Sequence, residues 1–307
     1  MSALRQSLAD YLSLRRSLGY SLQRPEKLLG QFIDYLDACG ASTVTAEHAL
    51  AWARLPESSD PSWWAHRLTV VRGFAGYLHA LDEANEVPPT DVLVWKSHRA
   101  NPFIYADDEI TALIGAAATL SSPLRVVTYQ TLIGLLATTG MRIGEAIDLD
   151  VDDFDADNGI LLVRRGKGGA TRQLPLHPST TTAVHRYLHH PARQAGPRNG
   201  ALLISPAGTR LLYCNVQWTF QKLLHHTGIQ PRSRTCRPRI HDLRHTFAVT
   251  ALLDAYRDGL DIDRRLTLLA TYLGHTSPAG TYWYLSATPQ LLAAALDRLD
   301  RNRSELQ

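Results

Sequence analysis

The chain has 307 residues, 45% of them hydrophobic and 20% charged, with a formal net charge of +3. That is the balance of a globular protein with room for about two domains of roughly 150 residues each, and it excludes a disordered polycation. It leaves a basic groove open, because clustering of charge outweighs its sum.

In chain order, the first hundred residues read as helices. Arg5, Asp10, Arg15 and Arg16 interrupt any signal-peptide core. Leu28, Leu29, Phe32, Ile33 and Leu36 share one helical face, and Trp64, Leu68, Val71, Ala75 and Leu78 share another. Asp60 and Pro61 suit the cap and first turn of that second helix, and Gly19 and Gly40 read as stops. Arg15, Arg16, Arg24, Lys27, Arg67 and Arg72 decorate these helices, as a solvated face or as cations for nucleic acid. Pro88-Pro89 and Asn101-Pro102 break the pattern and place a linker within 86–105, where Lys96 and Arg99 are further candidates for phosphate contact. From Asp107 the chain is mostly helical again, except for Gly159 to Arg165, the Gly166-Lys167-Gly168-Gly169 turn and Thr171 to Leu176. These predict a β-hairpin with Lys167 near its tip, and Pro175 puts the second strand at an edge or ends it early. The tail from Pro289 sets Leu291, Leu292, Ala295, Leu296 and Leu299 on one helical face.

The chemistry-bearing residues follow a fixed order. An apolar run from Leu132 to Ala137 ends at Thr138-Thr139-Gly140, and a new helix starts near Arg142, with Glu145 one turn on to orient it. Arginine there aims a planar fork at phosphate oxygens. Lys167 is a candidate proton donor, since a lysine pKa falls near other cations. His241 and Arg244 lie three apart, on one helical face, and Arg232, Arg234, Arg237 and Arg239 crowd just upstream, the pattern of phosphate-backbone binding. His245 reads as structural. His241-Asp242 lacks the second carboxylate and histidine set that a metal site needs. Gly274 ends a helix before His275, Ser277-Pro278 starts another, and Tyr284 falls nine residues after His275, with Tyr282 its near neighbour. Taken singly these have plain alternatives: a surface ion pair, a solvated loop lysine, a core tyrosine.

Together, Arg142, Lys167, His241-x-x-Arg244, Leu273-Gly274-His275 and Tyr284 resemble the tyrosine recombinase (phage integrase) family over most of residues 107–290. The resemblance implies Arg142, Lys167, His241, Arg244, His275 and the nucleophile Tyr284 as catalytic residues, with Glu145 in support. The family's nine-residue spacing selects Tyr284 over Tyr282. Ala170 departs from the family pattern, which often has a second lysine there, so one phosphate contact is expected to be lost.

The fold expected is mainly α with a small β-hairpin in the catalytic domain, a two-domain architecture forming a C-shaped DNA clamp: a helical core-DNA-binding (SAM-like) domain at 1–95, a linker at 96–105, and a catalytic domain with a C-terminal helix at 106–307. DNA-contacting candidates are Arg24, Lys27, Arg67, Arg72, Arg164, Arg165, Arg172, Arg237 and Arg239. The expected activity is site-specific recombination through a 3′-phosphotyrosyl intermediate and a Holliday junction, with no metal and no cofactor. The expected partner is double-stranded DNA with simple inverted half-sites, since the helical region starts almost at residue 1 and leaves no room for an arm-binding domain. Four protomers would act on synapsed DNA, a monomer or weak dimer when free, and the tail helix would dock on a neighbour. Alternatives are a type IB topoisomerase-like enzyme and a catalytically silent architectural DNA-binding protein. Cys39, Cys214 and Cys236 form no CxxC pair, so a reducing compartment is expected. No apolar run approaches the roughly 18 residues of a membrane span, and a cytoplasmic, nucleoid-associated protein is expected.

Overall fold

The computed structural model describes residues 3–20, 22–93, 101–164, 171–194, 200–275, 291–293 and 296. The chain divides into two units, Met1–Arg99 and Ala100–Gln307. Lys96, Arg99, Arg165, Lys167, Ala170, Ser277, Pro278, Tyr282 and Tyr284 lie outside the described residues, as do most of the tail positions from Pro289.

The first unit is built from α1 (Ala3–Ser17), α2 (Gln23–Ala38), α3 (Ala46–Arg54) and α4 (Pro61–Leu81). The apolar face read from spacing in α2 is the face it buries: Leu28, Leu29, Phe32, Ile33 and Leu36. They meet Trp52 of α3 and Leu68, Val71, Phe74, Ala75 and Leu78 of α4 in one core. Trp64 sits at its rim and donates its indole N–H to the Pro56 carbonyl at 2.9 Å. Asp60 caps α4 by accepting from the Ser62 N–H at 2.7 Å, with Pro61 in the first turn. Gly19 and Gly40 lie just past α1 and α2 with φ of 88° and 67°, the left-handed conformation that ends a helix. Asn85 and Glu86 are stitched to the start of α3: the Asn85 side chain accepts from the Val44 N–H, and the Glu86 carboxylate from that of Ala46.

The second unit begins at the core residues Phe103 and Tyr105. It continues through α5 (Asp107–Ala116), α6 (Pro123–Thr139) and α7 (Ile143–Asp148), then β1 (Phe154–Asp155), β2 (Ile160–Val163) and β3 (Arg172–Pro175). The helices α8 (Pro178–Leu188), α9 (Pro191–Gln194), α10 (Tyr213–Thr227), α11 (Asp242–Arg257) and α12 (Ile262–Leu273) follow. Helix α6 is its central rod. It buries Leu124, Tyr129, Leu132, Ile133, Leu135 and Leu136 and packs on α5, α8 and α11, so it reads apolar on every side rather than amphipathic. The predicted hairpin is β2 paired antiparallel with β3, from Ile160 opposite Pro175 to Val163 opposite Arg172. Pro175 is the last residue of β3, which lies at an edge of the β1-β2-β3 sheet, where a missing N–H is tolerated. The two-residue β1 was not foreseen; Phe154-Asp155 is too short to show an alternation. Leu291 is buried against the α11–α12 cluster, whereas Leu292 and Leu296 are exposed. No described helix is long and apolar enough to cross a membrane.

Helices α6 and α12 both stop at left-handed glycines, Gly140 (φ 59°) and Gly274 (φ 66°). A Cβ on Gly140 would come within 2.4 Å of the Phe247 ring. We expect Gly140→Ala to cost at least about 2 kcal/mol, from left-handed strain and overpacking together. Urea denaturation checks this; a loss of only about 1 kcal/mol would mean that Phe247 moves aside freely and that the left-handed strain alone remains.

Candidate active site

The ends of α6 and α12 leave carbonyl oxygens without helical partners, and such orphan acceptors at the negative end of a helix attract cations. Three arginines meet that demand. Arg244, in the first turn of α11 and 2% exposed, donates Nη1 to the Gly140 carbonyl at 2.8 Å and Nη2 to the Leu273 carbonyl at 2.7 Å. It therefore ties the two helix ends together. Arg142, at the N-terminus of α7, donates Nη2 to the Gly274 carbonyl at 3.1 Å. Arg172, from β3, donates Nε to the Tyr272 carbonyl at 2.9 Å.

Glu145 is the shared counter-charge. Its carboxylate accepts from the Arg142 backbone N–H at 2.8 Å and from Arg142 Nη1 at 2.7 Å. It also takes both terminal nitrogens of Arg172, at 3.1 and 2.7 Å. Burial alone would raise the Glu145 pKa, but the hydrogen bonds from Arg172 and Arg142 outweigh it and hold it at about 2. The carboxylate is thus ionised at any physiological pH. The Arg142 side chain keeps 22% of its surface exposed, so a group arriving from solvent can reach it.

His241 stands at the start of α11, exposed on one side and packed on the other. That packing, with the charges of Arg244, Arg239 and Arg142, holds its pKa below that of an ordinary imidazole. Its ring meets His245 edge-on, with centroids 4.9 Å apart. His245 is pushed down to about 3, by burial first and then by His241 and the nearby arginines. Fully buried Asp242 accepts from the Arg239 backbone N–H, Nε and Nη2 at 3.0, 3.0 and 2.8 Å. Asp242 is thereby committed to Arg239. His275 follows the Gly274 cap, and its backbone N–H donates to the Ala270 carbonyl at 2.9 Å. Arg142, Arg244 and His275, well separated in the chain, are thus gathered at the two helix ends, with His241 one turn before Arg244 at the start of α11. Lys167 and Tyr284 lie outside the described residues.

The expected DNA contacts divide. Arg24 and Lys27 are exposed on the first turns of α2, and Arg237 is exposed ahead of α11. Arg164 is 56% exposed and pairs with Asp153; Arg239 is 42% exposed while holding Asp242. Two others, Arg67 and Arg172, point inward and correct the surface reading, and half-buried Arg72 turns back onto its own chain. Arg67 is 7% exposed, with its guanidinium 3.6 Å above the Trp52 ring and a 2.7 Å bond to the Trp52 carbonyl. A desolvated cation–π contact of this kind is worth about 2 kcal/mol and offsets part of the cost of burying the charge. Arg72 bonds the carbonyls of Pro88 and Pro89 at 2.8 and 2.6 Å and so closes the segment after α4. Arg172 is 12% exposed and spent on Glu145 and Tyr272. Helical and strand spacing report where such a residue sits, not which way its long side chain turns.

Both shifts make the second unit acid-sensitive. The His245 pKa lies below its ordinary 6.5, so its contribution is full above pH 6.5 and fades as pH falls from there toward about 3. The Glu145 contribution, on the order of 3 kcal/mol, is full above 4.5 and is lost as pH falls toward about 2. Urea midpoints measured from pH 8 to 3 should therefore decline from about 6.5 and steepen below 4.5. His245→Asn should shrink the first phase to the part that His241 contributes, and Glu145→Gln should flatten the second.

Comparison with known proteins places this arrangement. Residues 104–290 match the phage integrase family. The protein named "Putative integrase/recombinase y4rB" of Sinorhizobium fredii is 38% identical, over 98% of both chains. The tyrosine recombinase XerC of Alcanivorax borkumensis is 33% identical, over 75% of this chain and 70% of its own. Among solved structures, the Tn1549 transposon integrase in complex with transposon right-end DNA superposes with a TM-score of 0.65 at 16% identity, covering 98% of this chain and 100% of that one. The chain belongs to the phage integrase family and is a tyrosine recombinase, an enzyme that exchanges strands between DNA sites.

Proposed function

We propose that Arg142, Lys167, His241, Arg244, His275 and Tyr284 form the catalytic set of this recombinase, with Glu145 holding Arg142. One observation carries the reading. Arg244 and Arg142 grip the consecutive carbonyls of Leu273 and Gly274, immediately before His275. Two guanidinium groups fixed at one spot, with a histidine next in the chain, suit a single phosphodiester.

In the proposed reaction the Tyr284 oxygen attacks the phosphorus. A phosphorus–oxygen bond to Tyr284 forms and the bond to the 5′ oxygen breaks. The phenol proton passes to His241, which is neutral and able to accept it because burial and the neighbouring arginines disfavour its charged form. Lys167 protonates the departing 5′ oxygen. Arg142 and Arg244 oppose the charge that builds on the non-bridging oxygens, and His275 adds a hydrogen bond; donors of this kind are worth roughly 3–4 kcal/mol each. The phosphotyrosyl link conserves the bond energy, so a 5′-hydroxyl from a partner strand reverses the step without ATP.

Two such exchanges on paired inverted half-sites, by four protomers through a Holliday junction, complete recombination. The first unit, with Arg24 and Lys27 exposed, supplies backbone contacts, and the second the chemistry. The relatives and neighbours described above, among them a DNA-bound transposon integrase, support integration, excision or transposition of mobile DNA as the setting.

The test uses a nicked duplex carrying the sequence recovered by binding selection from random duplex DNA, with trapping of the covalent adduct. Wild type should form it, Tyr284→Phe should not, and Arg244→Ala should form it at least about a hundredfold more slowly. An adduct with Tyr284→Phe would remove that nucleophile from the scheme. Tight binding with no wild-type adduct would favour the architectural alternative.

A further inference from the structure

Arg172 opens β3, five residues after Lys167 in the chain. Its fork holds both oxygens of Glu145, which fixes the plane of that carboxylate. The same two oxygens accept from Arg142, so the plane set by Arg172 on one side determines where the Arg142 guanidinium can lie on the other. The third nitrogen of Arg172 holds the Tyr272 carbonyl in the last turn of α12. Two residues on, a Cβ at Gly274 would come within 3.0 Å of Arg172 Nη1, so the fork and the glycine turn are packed face to face. The Gly274 carbonyl takes Arg142 Nη2, which closes a ring of contacts through Arg172, Glu145, Arg142 and the turn that leads into His275.

We propose that Arg172 is a positioning residue for strand cleavage, setting the Arg142 guanidinium through Glu145 and the His275 turn through the Tyr272 carbonyl, without touching DNA. This rests on the reading of Arg142 and His275 as phosphate-contacting groups given above. Lysine at 172 would keep the charge but lose the fork, so it would neither hold both carboxylate oxygens nor reach the carbonyl as well. Glutamine would lose both. Burial would then act on Glu145 with its first hydrogen-bond partner gone, and the carboxylate would take up a proton at higher pH than in wild type. The charged groups around Glu145 are Arg142 and Arg172, then Asp148, Asp150, Asp153, Arg164 and Arg210 lining the adjacent cleft, with His241 also within its field.

The experiment measures single-turnover adduct formation on the nicked selected duplex across pH, and non-covalent affinity for the intact duplex across salt. The proteins are wild type, Arg172→Lys, Arg172→Gln, Glu145→Gln and the double variant Arg172→Gln/Glu145→Gln. We expect cleavage to slow about tenfold with lysine and about a hundredfold with glutamine, the scale of a misplaced catalytic group. Affinity should stay within about twofold and its salt slope should be unchanged. The Glu145 carboxyl of Arg172→Gln, followed by its carboxyl carbon resonance, should take up its proton at higher pH than in wild type, by about one unit or more. The double variant should be no slower than the slower single one, because both act through one contact.

Weaker binding with a salt slope smaller by about one would make Arg172 a phosphate contact and overturn the proposal. So would a cleavage loss that follows thermal stability with no rise in the pH at which Glu145 takes up its proton. If the glutamine variant fails to fold, the rate and the Glu145 titration of Arg172→Lys decide the matter. Wild-type adduct with an undiminished Arg172→Gln rate overturns this proposal alone. Absence of wild-type adduct overturns the active-site reading, and this proposal with it.

Discussion

The second unit turns on how two helices end. Carbonyl oxygens at a helix C-terminus need donors, and at α6 and α12 these donors are guanidinium groups rather than further backbone. The same groups are the ones a phosphodiester would need. On the proposed reading, satisfying the fold and building the site are one arrangement: Arg244 cannot leave the helix ends without stranding two acceptors, and so it would already be in place when a substrate arrives. Such preorganisation is what makes electrostatic stabilisation effective, because no rearrangement is spent at the moment of reaction.

Concentrating Arg142, Arg172 and Arg244 in one place has a cost that Glu145 relieves. Its ionised carboxylate lies between two of the three guanidinium groups and lowers their mutual repulsion. The neighbouring imidazoles respond in the opposite sense. His241 and His245 are held in the neutral form by burial and by those same positive charges. On the proposed mechanism, a neutral imidazole beside cationic arginines would accept a proton most readily when negative charge enters, which would couple proton movement to the arrival of phosphate.

Much of this was legible in the sequence because it rests on short-range geometry. The buried face of α2, the Asp60-Pro61 cap, the stops at Gly140 and Gly274, the hairpin and the Arg142–Glu145 contact each depend on residues within a few positions of one another. What was not legible depends on contacts across long stretches of chain. Arg172 and Tyr272 are a hundred residues apart, and nothing near either announces that one grips the other. Arg67 belongs to the same class: its neighbours on α4 describe an exposed cation, and only the presence of Trp52 on another helix turns it inward. Arginine is the residue for which this fails most readily, because a long apolar stem lets the charge end up far from where the backbone points.

The Arg67–Trp52 stack also gives the molecule an internal optical reporter. Trp52 is 2% exposed, whereas Trp218 on α10 is 58% exposed. The buried indole therefore emits from a dry, apolar setting and the outer one from water. With Trp63, Trp64, Trp95, Trp218 and Trp283 replaced by phenylalanine, the red shift of Trp52 on denaturation will follow the opening of the helical N-terminal unit alone. Tryptophan emission and far-ultraviolet circular dichroism should thus be recorded together, since a gap between their transitions would reveal that the two halves of the polypeptide melt independently.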